Sequence, residues 1–149
     1  MMPTMMPTRM RATSRSRWHN RKMNREIAPA SIAPTAANYA HAIVSESTQR
    51  WLHTSGIVPI GPDGSVPSSI AEQAQTVWAN LTAILAEAGM SPHDVVSVTT
   101  YVVNGQPLAP VMAARDTALG GHRVASTLVT VPALARPEWL MEIALVAAH

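Results

Sequence analysis

The alternation of apolar and polar residues predicts five strands and two helices in the order ββαβαββ. The predicted strands cover residues 39–44, 50–55, 95–103, 125–131 and 139–146, and the predicted helices cover about 70–88 and 107–119. A sheet with both helices over one face is the economical way to bury the apolar side of these elements. We therefore expect an α+β fold.

The first predicted helix has the clearest pattern in the chain. Ser69 and Glu72 have the spacing of a capping box, in which each side chain bonds the other residue's backbone N–H. Gly89 ends the helix, and Pro92 prevents it from resuming. Its apolar stripe consists of Ile70, Ala74, Val77, Trp78, Leu81, Leu85 and Ala88. Residues 95–103 (VVSVTTYVV) are β-branched and apolar almost throughout, which predicts a central strand buried on both faces.

Composition limits the class of protein. The 149 residues suffice for one ordinary domain, and 47% of them are apolar and can form its core. The absence of cysteine excludes disulfides, thiolate metal sites and a cysteine nucleophile. No apolar run approaches the roughly 20 residues of a membrane span. No metal-ligand spacing and no glycine-rich phosphate loop occurs, so no metal or cofactor is expected.

Charge divides the chain into two parts. Residues 1–25 carry seven cations and no acid, whereas residues 26–149 carry four cations and nine acids, a net charge of −5. We expect residues 1–25 to be a disordered basic extension or the result of a start assigned too early, with Met23 as the true start. An organelle transit peptide and an anion-binding arm are the alternatives. Residues 26–149 are expected to form a single domain whose charge gives no case for nucleic acid.

Five ordered segments carry a resemblance to a known family. They are NYAHAIV, LHTSGIVPIGPDGSV, IAEQAQTVWANLTAILAEAG, DVVSVTTYV and HRVASTLVTVPALARPEWLMEIALVA, and together they span roughly residues 27–148. In these segments the chain resembles the RidA/YjgF family of reactive-intermediate deaminases, also called L-PSP. The resemblance implies a chorismate-mutase-like fold with a mixed sheet, and a homotrimer whose sheets form a barrel with ligand clefts between subunits. It also implies the hydrolysis of enamines and imines such as 2-aminoacrylate to ammonia and a 2-oxo acid.

Part of the family's site is retained. By this resemblance Tyr39 matches the tyrosine that lines the cleft, and Ser55 and Gly56 match the family's Ser-Gly pair. Glu142 matches the first acid of the last strand and is the candidate catalytic residue, because the family uses a glutamate of that strand to hold water; the alternative is that it pairs with an arginine across the trimer interface. The backbone around Leu128 would complete the lining.

The charged centre of that site is changed. Ser126 stands where the family has the arginine that binds the substrate carboxylate, Ala144 replaces the second acid, and Met112 replaces a frequent asparagine. The resemblance is therefore closer to the subgroups that lack this arginine. A bidentate arginine–carboxylate contact contributes about 1.5–3 kcal/mol, so efficient turnover of 2-aminoacrylate is not expected.

Arg115 is the cation that could replace the missing one. It follows Val111 by four residues on the second helix, within the arc of the apolar stripe. Its guanidinium either reaches the cleft and binds a ligand, or extends to solvent or pairs with Asp116 or Glu142. Arg123 is a second candidate, expected at the surface.

Three functions remain open from the sequence. The first is hydrolytic deamination of a small enamine or imine that differs from 2-aminoacrylate. The second is a trimer that binds a small metabolite without chemistry. The third, ribonuclease or translation-inhibitor activity, is opposed by the −5 charge of the body. We expect a cytoplasmic protein with no membrane partner.

Overall fold

In the computed structural model, which describes residues 24–149, the chain forms six strands, two α-helices and one short 3-10 helix. The strands are β1 (Asn24–Ile27), β2 (Ala42–Ser45), β3 (Trp51–His53), β4 (Val95–Val103), β5 (Ala125–Val131) and β6 (Met141–Ala148). The helices are α1 (Ile70–Glu87) and α2 (Ala109–Ala118), and the 3-10 helix is Pro92–Asp94. The α+β class predicted from the sequence is confirmed.

The main sheet has four strands in the order β3-β6-β4-β5. β4 pairs in parallel with β5, while β6 runs antiparallel to both β3 and β4, so the sheet is mixed. The parallel pair is possible because α2 lies between β4 and β5 in the chain and returns it to the same end of the sheet. This topology makes β5 an edge strand in the single chain.

One face of the sheet packs against the helices and forms the core. Val98 and Val102 of β4 and Ile143 and Leu145 of β6 are almost completely buried there. The predicted stripe of α1 covers them: the buried residues of this helix are Ile70, Gln73, Ala74, Val77, Trp78, Leu81 and Leu85. The apolar spacing of α1 is thus confirmed, and buried Gln73 is satisfied because its amide bonds the backbone at Pro67, Glu138 and Leu140.

The ends of α1 follow the predicted signals, except that the Glu72 carboxylate bonds the Ser69 hydroxyl instead of the Ser69 backbone N–H. The Ser69 hydroxyl accepts a bond from the backbone N–H of Glu72 at 3.2 Å, and it donates to the Glu72 carboxylate at 2.7 Å. Gly89 follows the helix with φ +66°, a conformation that glycine adopts without steric cost.

The second face of the sheet is called the open face. Its residues are Trp51, His53, Ser97, Thr99, Tyr101, Thr127, Val129, Glu142, Ala144 and Val146, as the strand registers and the two-residue repeat require. Trp51 is 53% exposed and Val129 is 41% exposed. The expectation that β4 is buried on both faces is therefore wrong for the single chain, since its open-face side chains are only half-buried.

The N-terminal part of the described chain differs most from the prediction. The strands expected at 39–44 and 50–55 are the shorter β2 and β3, and they belong to different sheets. β2 pairs with β1, a strand that the sequence analysis did not predict. Asn24 and Arg25 of β1 lie within the extension assigned to residues 1–25, and the rest of that extension lies outside the described residues.

Candidate functional site

A surface pocket of about 350 Å³ lies beside the edge strand β5. It is lined by Ala37, Tyr39, Met112, Arg115, Ser126, Thr127 and Leu128. We call it the Arg115 pocket. Five residues singled out in the sequence are therefore neighbours in the fold: Tyr39, Met112, Arg115, Ser126 and Leu128.

The Arg115 guanidinium occupies the position next to Ser126. Its Nη1 donates to the Ser126 hydroxyl oxygen at 3.3 Å, and its Nη2 donates to the Asn38 carbonyl oxygen at 3.2 Å. Arg115 is only 7% exposed, because α2 packs this turn against the rest of the core beside Val111. Helix α2 therefore brings a guanidinium directly beside the Ser126 hydroxyl.

Asp116 holds the guanidinium in place. Its Oδ1 accepts bonds from Arg115 Nε at 3.0 Å and from Nη2 at 2.8 Å. Of the partners considered in the sequence, Asp116 is the one that pairs with Arg115. The Asn38 carbonyl was not anticipated, because a backbone acceptor leaves no signal in the side-chain pattern.

Counting donors shows what the pocket can still offer to a ligand. An arginine has five N–H donors, and the bonds to Asp116, Asn38 and Ser126 engage four of them. One N–H on Nη1 has no assigned partner among the described residues. The Ser126 hydroxyl accepts from Nη1, which leaves its own hydrogen available for donation. The pocket therefore holds two donors about one hydrogen-bond length apart.

Arg123 supports the Tyr39 segment from outside the pocket. Its Nη2 bonds the Tyr39 carbonyl oxygen at 2.5 Å and the Thr35 hydroxyl at 3.0 Å, and it pairs with Glu26 at 3.2 Å. Its side chain is 40% exposed, as the surface position expected from the sequence implies. Because these bonds engage the guanidinium, Arg123 positions Tyr39 and lies outside the pocket lining.

A second cluster is formed by Ser55, Gly56 and Glu142, and we call it the Glu142 cluster. The Glu142 carboxylate lies directly over Gly56: a Cβ built on Gly56 would come within 1.6 Å of Glu142 Oε1. Any larger residue at position 56 would force the Glu142 side chain to move, which accounts for the glycine at this position. Ile57 then pairs with Ile143 and fixes the loop against β6.

The two clusters lie on opposite faces of the sheet. Ser126 pairs with Val98, whose side chain is in the core, whereas Glu142 pairs with Tyr101 on the open face. Side chains of opposite parity point away from one another across a sheet. The single chain therefore does not bring Glu142 into the pocket with Ser126, and Ala144 lies on the open face as well.

The part of the chain that the structure describes offers no metal site and no membrane span. No three histidine, aspartate or glutamate side chains in residues 24–149 are grouped so that they could hold a metal ion. None of the described helices has both the length and the apolar character needed to cross a bilayer.

Comparisons with known proteins agree with the geometry. Residues 30–149 match the family model described as Endoribonuclease L-PSP. A RutC family protein of Haemophilus influenzae is 35% identical over 89 residues, which are 59% of this chain and 63% of that protein, so the match spans less than two thirds of this relative. The 2-iminobutanoate/2-iminopropanoate deaminase of Escherichia coli is 32% identical over 98 residues, 65% of this chain and 71% of that protein.

Solved structures extend the match to the whole described fold. A Rid family protein of unknown function from Yersinia pestis superposes with a TM-score of 0.77 at 34% identity, covering 86% of this chain and all of that one. Escherichia coli TdcF with bound serine gives a TM-score of 0.62 at 25% identity, covering 82% of this chain and 93% of that one. The chain belongs to the RidA/YjgF family, also named L-PSP.

Proposed function

We propose that this protein is a homotrimeric hydrolase that deaminates a small imine or enamine other than 2-aminoacrylate. The observation that carries the proposal is the buried Arg115 guanidinium bonded to Ser126, in a pocket that Tyr39 also lines. It restores an arginine where the family's substrate-binding arginine is replaced by serine. The similarity to an iminobutanoate/iminopropanoate deaminase supports the reaction class.

The reaction requires few protein groups, because an imine carbon is already electrophilic. Water adds to that carbon and passes a proton to the nitrogen, the C–N bond then breaks, and the products are ammonia and a carbonyl compound. An enamine first takes a proton on carbon and becomes the imine. Arg115 and Ser126 would hold an oxygen of the substrate beside the imine, and a carboxylate would accept the proton from water.

We assign to Glu142 the role of the carboxylate that accepts the proton from water. Since Glu142 and Ser126 lie on opposite faces of one sheet, the site is complete only when a second copy brings its Glu142 cluster to the Arg115 pocket. The exposed apolar side chains of the open face, Trp51 and Val129, favour burial by other copies of the chain. A closed ring of three copies would give three equivalent clefts.

Ammonia release tests the proposal. Imines generated in situ by oxidation of amino acids and of amino acid amides, which carry a carboxylate and a neutral carbonyl group respectively, are incubated with the full chain, and ammonia is measured against buffer. Arg115→Ala should lower kcat/KM by about 10- to 150-fold, the effect of losing hydrogen bonds to a charged group. Arg136→Ala is the matched control, because the Arg136 side chain is 67% exposed, pairs with Glu138 and does not line the pocket. Equal rates for wild type and buffer across such imines would refute the proposal.

A non-catalytic metabolite-binding trimer is the second candidate. It is favoured by one specific feature: the described residues that line the Arg115 pocket include no carboxylate that could act on water. A ligand that is bound without chemistry raises the free energy of unfolding by RT ln(1 + [L]/Kd) and is not consumed. Ribonuclease activity has weaker support, because residues 26–149 carry a net charge of −5, which repels the phosphate backbone.

A further inference from the structure

We propose that the Arg115 pocket selects an uncharged carbonyl or amide oxygen over a carboxylate. If the proposed function holds, the substrate is then an imine or enamine adjacent to a neutral carbonyl group. The inference about binding depends on the pocket alone, and the inference about the substrate rests on the proposed function.

The first argument is the charge balance. Asp116 bonds the guanidinium twice, at 2.8 and 3.0 Å, so the positive charge of Arg115 is compensated before any ligand arrives. Arg115 is the one charged side chain among the described residues lining the pocket. The neighbouring cation, Arg123, forms one ion pair with Glu26 at 3.2 Å. A carboxylate ligand entering the pocket would therefore meet no unpaired positive charge. It would also lie close to the negatively charged carboxylate of Asp116.

The second argument is the geometry of the free donors. The remaining Nη1 hydrogen and the Ser126 hydroxyl belong to atoms 3.3 Å apart, and both residues line the pocket. A carbonyl oxygen has two lone pairs and can accept one bond from each donor. The pair thus satisfies a single neutral oxygen completely.

The third argument is desolvation. Ala37, Met112 and Leu128 supply an apolar lining around these two donors. An anion that leaves water for such a lining needs a compensating charge, whereas a neutral carbonyl needs only its hydrogen bonds. Apolar walls and a neutralised guanidinium therefore favour the same class of ligand.

Pyruvate and pyruvamide are suitable probes, because they differ only in that the first carries a carboxylate and the second a neutral carboxamide. Each is titrated into the ¹⁵N-labelled full chain, with the Ser126 amide and the Arg115 Nε–H as reporters, for the wild type and for Asp116→Asn. The wild type should bind pyruvamide at least as tightly as pyruvate. Asp116→Asn should tighten pyruvate binding by about fivefold, as expected for a partly screened charge, and change pyruvamide binding by less than about twofold.

Two further variants separate charge from structure. Asp116→Glu keeps the charge and should keep the wild-type preference. Glu87→Gln removes a carboxylate from the exposed end of α1 and should change neither affinity. A wild type that prefers pyruvate, an Asp116→Asn variant that alters both affinities equally, or the absence of binding by either probe would overturn the inference. If imines give no ammonia but the binding preference is found, the deaminase proposal fails and this inference stands.

Discussion

The Arg115 pocket and the Glu142 cluster are built in different ways. In the pocket, a helix supplies a long side chain that is held at three of its nitrogens by Asp116, Asn38 and Ser126. In the cluster, strand β6 supplies the Glu142 side chain, and its carboxylate occupies the space that is free because Gly56 has no side chain. The pocket is therefore held together by the bonds to its guanidinium, whereas the cluster depends on the spacing of two backbone positions.

The largest expected effect comes from preventing the two regions from meeting. Val129→Arg places a charge on the open face, where Val129 is 41% exposed in the single chain. Burying that charge between subunits is costly, so we expect monomers and loss of all measurable deaminase activity. Light scattering and ammonia release are measured together. Ile32→Arg is the matched control, because Ile32 is 48% exposed in a loop outside both sheets and should leave the mass unchanged. A Val129→Arg trimer with full activity would contradict this arrangement.

The next effect is confined to the Glu142 cluster. Gly56→Ala would put a methyl group 1.6 Å from Glu142 Oε1, so the carboxylate must move. Displacing a reacting group by about 1 Å costs on the order of 100-fold in rate, and we expect that loss in kcat with little change in KM. The same substitution in a Glu142→Ala background should have no further effect on rate. Equal losses in both backgrounds would show that Gly56 acts on the fold and not through Glu142.

A smaller effect is expected in the Arg115 pocket. Ser126→Ala removes one neutral hydrogen-bond donor and leaves the guanidinium with its other partners, Asp116 and Asn38. A neutral hydrogen bond contributes about 0.5–1.5 kcal/mol, so kcat/KM should fall by roughly two- to tenfold. Ser55→Ala provides the comparison in the Glu142 cluster. A loss at Ser126 as large as that of Arg115→Ala would mean that the hydroxyl, and not the guanidinium, binds the substrate.

The smallest effect is expected outside both regions, and it changes the stability of the fold without changing activity. Burial opposes ionisation of Asp94, but the Ser91 backbone N–H at 2.7 Å and His149 at 3.1 Å together hold its pKa below the ordinary 3.8. A lowered folded-state pKa stabilises the fold above the unfolded value, and this contribution is lost as the pH falls below 3.8 through the folded-state pKa. Asp94→Asn should therefore lower the unfolding temperature near neutral pH without changing kcat. The difference in unfolding temperature between this variant and the wild type should become smaller in acid. A difference in unfolding temperature that does not depend on pH would contradict this assignment.

Local signals in the sequence predicted the elements that depend on neighbours along the chain. The cap at Ser69 and the end at Gly89 interact within a few residues, and the stripe of α1 repeats with the helical period, so their spacing is sufficient evidence. The strand β1 was missed because its sequence, NREI, has no apolar repeat and becomes a strand by pairing with β2.

The sequence singles out most of the residues that line the Arg115 pocket but not their arrangement. The family pattern predicts Tyr39 and Ser126 in one cleft, and the helical spacing leaves open whether Arg115 reaches that cleft, extends to solvent or pairs with Asp116 or Glu142. Choosing between Asp116 and Glu142 requires the register of β6 against β4, which puts Glu142 on the open face. Register is set by contacts between strands far apart in sequence, so no local pattern could supply it.

Mixing two inactive variants tests the central claim that each site combines the Arg115 pocket of one copy with the Glu142 cluster of another. Arg115→Ala and Glu142→Gln chains are unfolded together and refolded in equal amounts. In a ring with sites between subunits, about one site in four receives both wild-type halves, so roughly a quarter of wild-type activity should return. A mixture no more active than the two variants measured separately would contradict the account.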